Sequence, residues 1–130
     1  MVEREKLDRF QRYMKYLRIA AGYTQMSFAD ELDVSNVYYQ KLESGRVTLY
    51  AKEYYAFRYI FEGVNGRVIP MLRFFVDSKT VTDKERKELA KKMDTVIYEA
   101  GKRSGAEDRA RKVLMCYSHY VMAELIGKKE

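Results

Sequence analysis

Residues 24–46 read TQMSFADELDVSNVYYQKLESGR, and this stretch spells two short helices with a tight break between them. Thr24 is placed as an N-cap, its hydroxyl able to accept from a free backbone N–H where a helix starts. The helix it opens covers about residues 25–32, with Phe28, Ala29 and Leu32 inward. Asp33, Val34 and Ser35 break it. Ser35 is a second N-cap, and the helix that follows, about residues 36–43, turns Tyr39 and Leu42 inward before Ser44, Gly45 and Arg46 end it. Ala29 is small where two helices cross closely, and Leu32 and Val34 plug the turn. Helices this short bury too little surface to stand alone. They need flanking helices, which leaves the second one free to lie on the surface and expose Asn36, Val37, Tyr38, Gln40 and Lys41.

The flanking sequence supplies those helices. Leu7, Phe10, Met14, Leu17 and Ala21 recur at spacings of three and four, one face of a helix over about residues 4–21. Gly22 is its stop. A fourth helix over about residues 49–61 is crowded with Tyr50, Tyr54, Tyr55, Phe57, Tyr59 and Phe61. Helical spacing makes these rings a core, with some hydroxyls reaching water, and not a ligand cage. Gly63 and Gly66 bracket a break, and Pro70 sits in the first turn of a short fifth helix, residues 71–76. Residues 77–81 are a polar connection. Thr82 and Glu85 have capping-box spacing and open a sixth helix to about residue 102, with Leu89, Met93, Val96, Ile97 and Ala100 on one side. Ser104 and Glu107 repeat that spacing ahead of a seventh helix to about residue 126, carrying Ala110, Val113, Leu114, Tyr117, Val121 and Leu125. No strand-like alternation appears, so the chain reads as all-α.

Composition narrows the functions. The 130 residues are 47% hydrophobic and 34% charged, a globular balance. No apolar run reaches the roughly 20 residues of a bilayer-spanning helix, and MVEREKLDRF at the start has no signal-peptide core. Neither a membrane nor a cofactor is expected. A lone cysteine, Cys116, excludes an intramolecular disulfide and points to a reducing compartment, the cytoplasm. Cys116 and His119 lie three apart on one helical face, but two ligands make no structural zinc site, so they read as ordinary helix residues. No glycine-rich phosphate loop, nucleophile elbow or paired-histidine motif is present, so no catalytic residues are assigned and the chain does not read as an enzyme. The net charge of +6 suits an anionic partner. Residues 1–67 hold 11 basic and 9 acidic residues, and residues 68–130 hold 14 and 10. The surplus is thus spread along the chain, which favours a defined surface over recognition by bulk charge. The charge runs at residues 84–92 and 102–112 read as solvated helix faces.

Residues 14–61 resemble the Cro/lambda-repressor (xenobiotic-response-element type) helix-turn-helix domain. The resemblance rests on Leu17 and Arg18, the run Gly22-Tyr23-Thr24-Gln25, Phe28 and Ala29, the run Leu32-Asp33-Val34-Ser35, and Leu42-Glu43-Ser44-Gly45. It implies a five-helix DNA-binding domain, here followed by a C-terminal helical hairpin, that binds duplex DNA, usually as a dimer. Two positions depart from the family pattern. Asp33 stands where glycine is usual, and Tyr39 where isoleucine or valine is usual. Asp tolerates the left-handed conformation such a turn requires. Tyr39 needs more room, or a route for its hydroxyl to water.

By this resemblance Asn36, Val37 and Lys41 occupy base-reading places, with Tyr38 and Gln40 as secondary candidates. Asn36 pairs with adenine, Lys41 donates to guanine, and Val37 meets a thymine methyl. Thr24 and Gln25 lie at a helix start suited to a phosphate, and Arg46 and Thr48 suit its neighbour. Arg18 either touches phosphate or pairs with Glu43; the resemblance favours the pair. Asp30, Glu31 and Asp33 cluster near the turn and should point away from the DNA. The expected organisation is residues 1–66 as DNA-binding domain and residues 67–130 as a helical region that dimerises or covers the fourth helix. The function so read is a dimeric, sequence-specific repressor on a palindromic operator. The alternative is an antitoxin or interaction module whose C-terminal helices hold a partner protein.

Overall fold

The computed structural model describes residues 2–64, 66, 68–104 and 107–121. They contain seven α-helices and one π-helical turn, with no strand among the described residues: α1 (Arg4–Ala20), α2 (Gln25–Glu31), α3 (Asn36–Glu43), α4 (Ala51–Glu62), α5 (Ile69–Leu72), the π-turn (Arg73–Asp77), α6 (Asp83–Ser104) and α7 (Glu107–Val121). No described helix is long and apolar enough to cross a membrane. The all-α fold read from the sequence is the fold observed.

The helix ends follow local chemistry. Gly22, at φ +91°, lets the Tyr23 N–H turn back to the Arg18 carbonyl at 3.2 Å, closing α1 in a left-handed cap. Thr24 accepts from the Ser27 N–H at 3.0 Å, and Ser35 accepts from the Tyr38 N–H at 3.1 Å. Thr82 and Glu85 exchange backbone N–H bonds at 3.2 Å in a reciprocal cap for α6. Two boundaries differ from expectation. Tyr50 is extended and donates its N–H to Glu53, so α4 begins at Ala51 and Leu49 is buried ahead of it. The fifth helix starts at Ile69, with Pro70 second, and widens after Leu72 into a π-turn that reaches Asp77. The Ser104–Glu107 cap and Leu125 lie outside the described residues or side chains.

α1 is the axis of the molecule. Periodicity assigns it one apolar stripe, yet from Tyr13 to Ala20 every side chain but Lys15 is buried. One face meets the helix-turn-helix. Phe28 of α2 stacks on Phe61 of α4 with ring centroids 5.3 Å apart, and Phe10 meets Tyr54 edge-on at 4.9 Å. The opposite face meets the C-terminal half, where Tyr13 stacks on Phe75 of the π-turn at 4.6 Å. The α6–α7 hairpin lies on α1 and on the α5 segment, and α4 is not its main seat. Leu89, Met93, Leu114 and Val121 join the same buried cluster as Phe10 and Phe28, so hydrophobic residues from both sides of position 66 share one core. The Tyr16 hydroxyl and the Lys15 ammonium both bind Asp94, fastening α6 at its middle.

The aromatic α4 divides. Tyr54, Phe57 and Phe61 are buried, whereas Tyr50, Tyr55 and Tyr59 are exposed as whole rings, not hydroxyls alone. Only the first set repeats at i, i+3 and i+7, the side that faces α1 and α2.

Candidate nucleic-acid interface

α3 is a two-turn helix fixed at both ends. Its first turn is capped by Ser35. Its last turn is gripped from α1, where Gln11 Nε2 donates to the carbonyls of Leu42 (2.9 Å) and Val47 (2.7 Å). These bonds satisfy acceptors that a helix C-terminus otherwise leaves open. Inward, Tyr39 and Leu42 are fully buried, and the Tyr39 ring meets Phe28 edge-on at 5.4 Å. The turn before α3 is held by Asp33 at φ +57°, the left-handed conformation a glycine would adopt without cost.

Tyr39 finds room but no route to water. Its hydroxyl is buried without a hydrogen-bond partner. Burial, and then the nearby Glu43 carboxylate, push its ionisation far above the ordinary phenol range, with Arg18 opposing.

The two readings of Arg18 resolve to the internal pair. Its Nε lies 2.9 Å from Glu43 Oε2, and its Nη1 donates to the Tyr23 carbonyl at 2.8 Å. The same carboxylate accepts from Gln25 Nε2 at 3.2 Å. α1, the start of α2 and the end of α3 thus meet at one buried charge. One N–H of the Gln25 amide, read as a phosphate clasp, goes to this contact, and the Thr24 hydroxyl serves its cap.

On the outer face Val37 is 62% exposed, and Tyr38 and Lys41 are exposed beside it. Gln40 is half-buried. Arg46 and Thr48 are exposed past the helix end, with Arg46 Nε on Ser44 Oγ at 3.0 Å. Asn36 is half-buried, and its Oδ1 is turned inward without a partner. An adenine pair needs both ends of the amide outward, so Asn36 must rotate before it can read a base.

Three residues outside the motif shape this face and were not singled out from the sequence. Glu53 of α4 accepts from the Tyr38 hydroxyl at 2.8 Å, and this bond raises the phenol's ionisation above its usual range. Gln11 anchors the end of α3. Arg111 of α7 donates to the Gly22 carbonyl at 3.0 Å, which ties the C-terminal hairpin to the turn before α2. Gln11 is a polar residue that faces the motif from the exposed half of α1, just ahead of its buried stretch. The other two depend on contacts between distant segments.

Charge on the motif runs against the whole chain. Residues 24–48 hold two basic side chains, Lys41 and Arg46, and four acidic ones, Asp30, Glu31, Asp33 and Glu43. Glu43 is neutralised internally; Asp30, Glu31 and Asp33 are exposed. Elsewhere, Cys116 and His119 are both exposed, and the described residues contain no group of three or more histidine, cysteine or carboxylate side chains arranged for a metal.

A helix-turn-helix family model, of the Cro/C1 type, matches residues 14–49. The matched stretch holds the second half of α1, both short helices and the segment to buried Leu49. No curated protein and no solved structure matches the chain. The N-terminal part is therefore a lambda-repressor-like helix-turn-helix, the fold class of DNA-binding transcription regulators.

Proposed function

We propose that the chain is a sequence-specific, double-stranded DNA-binding transcriptional regulator that acts as a dimeric repressor. One observation carries this reading: α3 is fixed at both ends and by its inner face, while its outer face stands open to solvent. A rod of that kind fits a major groove. Lys41 and Val37 are set to reach base edges at once. Asn36 joins them after its amide turns outward, with Tyr38 and Gln40 at the margins. Arg46 and Thr48 meet phosphates. Thr24 and Gln25 hold the start of α2 in place, and Gln25 offers its second amide N–H to a phosphate. Residues 1–66 read the DNA, and residues 67–130 brace α1 and join two copies. A single half-site offers too little contact for tight binding, and a dimer on a palindrome doubles it.

Selection of bound duplexes from a random pool tests this. A repressor dimer enriches a palindrome with half-sites about one helical turn apart. A pool that remains random after several rounds overturns the proposal. The second reading, a module whose C-terminal helices hold a partner protein, draws on Tyr98, Val113 and Tyr120, exposed apolar residues on the hairpin. Stoichiometric co-purification of one protein, lost on substituting these residues, favours it.

A further inference from the structure

The outer side of α4 shows more aromatic surface than a solvated helix face needs. Tyr54, Phe57 and Phe61 fill the core from one side, but on the other Tyr55 is 54% exposed and Tyr59 81%. Lys52, Ala56 and Glu62 are exposed with them. Residues 52, 55, 56, 59 and 62 stand at helical spacing, so they form one stripe along about three turns.

The stripe is symmetric about Phe57. Tyr55 and Tyr59 stand two residues to either side of it, and Lys52 and Glu62 five residues to either side. The inner pair is alike and the outer pair carries opposite charges. A two-fold axis at Phe57 lays the stripe antiparallel on a copy of itself. Tyr55 then meets the partner's Tyr59, and Lys52 meets the partner's Glu62, each contact made twice. A parallel arrangement sets lysine on lysine and carboxylate on carboxylate. Ala56, small and next to the axis, lets the two helices approach.

The charges are open to such a contact. Lys52 forms no ion pair among the described residues. Glu62 gives only Oε1 to Arg58 Nε, at 3.2 Å, and its side chain is 54% exposed. Both terminal nitrogens of Arg58 rest on Asp77, so Arg58 is held without Glu62.

We propose that the outer face of α4 pairs with the same face of a second copy of this chain, in a contact separate from the one assigned to residues 67–130. Tyrosine suits a face that is wet when the copies part and packed when they meet. Two tyrosines, an alanine and two charged stems from each copy bury on the order of 1,000 Å² in total, the low end of specific interfaces. The contact is therefore weak and reversible.

Sedimentation equilibrium of the full chain, without DNA and over a wide range of concentration, tests this whatever the protein does on an operator. Lys52→Glu and Glu62→Lys alter exposed side chains. Each is expected to weaken the association at least about tenfold, because two attractions become two repulsions. An equimolar mixture of the two variants is expected to associate again, since glutamate on one chain then meets lysine on the other at both ends. That recovery also excludes a local effect of Glu62→Lys on Arg58. Association through the hairpin alone ignores both charges. A parent chain that does not associate, single variants that associate as the parent does, or a mixture no stronger than its components would each overturn the proposal.

Discussion

Arg18 and Glu43 form an ion pair with side chains only 4% and 8% exposed, joining the last turn of α1 to the last residue of α3. The pair fixes α3 against the core through a charge that nothing else nearby replaces. Removing one partner strands the other in a dry site. Glu43→Ala is therefore expected to lower stability by about 3–5 kcal/mol, whereas replacing both residues with apolar ones of similar volume costs far less. Urea unfolding of the single and double variants measures the difference. Equal losses in both would show that packing, not charge, holds this joint.

Asp33 sits at φ +57°. Left-handed backbone costs a side-chain-bearing residue roughly 1–2 kcal/mol, less for Asp, and glycine's greater freedom in the unfolded chain returns part of the gain. Asp33→Gly is expected to stabilise by about 0.5 kcal/mol, and Asp33→Val to destabilise by more than 1 kcal/mol, roughly. Thermal melts rank the three chains, and a Val variant as stable as the parent would count against a strained turn.

Half-burial pushes the Asp77 carboxyl up, but hydrogen bonds and attraction from Arg58, aided by Lys6, outweigh it and leave the group below its ordinary value of 3.8. A carboxyl depressed in the folded state stabilises above its unfolded value, and that stabilisation drains away as pH falls through the folded value. The Asp77 contribution is therefore full at neutral pH and lost below about pH 4. Asp77→Asn is expected to cost about 1–2 kcal/mol at pH 7 and almost nothing at pH 2–3, roughly. Melting curves of both proteins against pH should converge in acid; parallel curves would remove the carboxylate from the account.

On DNA, Asn36→Ala is expected to weaken a selected duplex by about 1–3 kcal/mol and a scrambled one hardly at all. Gln25→Ala should weaken both alike. With only Lys41 and Arg46 available as cations in residues 24–48, the salt dependence should be shallow, a log–log slope near −2 per protomer, roughly. A much steeper slope would place further cations, outside the motif, on the phosphates. Binding titrations at several salt concentrations give all three results.

Leu114 of α7 is fully buried in the cluster that contains Phe10 and Phe28. Leu114→Ala is expected to cost about 2–5 kcal/mol and to shift one cooperative transition as a whole. Two separate transitions would mean that the hairpin melts independently of the helix-turn-helix.

The motif was legible because its determinants are local. Thr24, Ser35, Gly22 and Gly45 act within a few residues of themselves, and the caps they make are set by backbone geometry that any tertiary setting must respect. Asp33 in its left-handed turn was foreseen from the resemblance, which puts a glycine at that position. The inward pair of α3, Tyr39 and Leu42, and the outward Val37, Tyr38 and Lys41 followed from its period, whereas Asn36 and Gln40, expected outward, are half-buried.

The sequence by itself determined the helices, the capped ends of α1, α2, α3 and α6, and the exposure of Val37, Tyr38 and Lys41 on α3, all consequences of interactions spanning at most one or two turns. Tertiary structure alone decided that α1 is buried on two faces and that the hairpin seats on it. It also decided that Gln25 answers to Glu43, that Asn36 turns its oxygen inward, and that Arg58 finds Asp77. Periodicity ranks which side of a helix is apolar, but it does not say which distant segment covers it. A polar side chain takes whichever partner the assembled fold brings within hydrogen-bond reach.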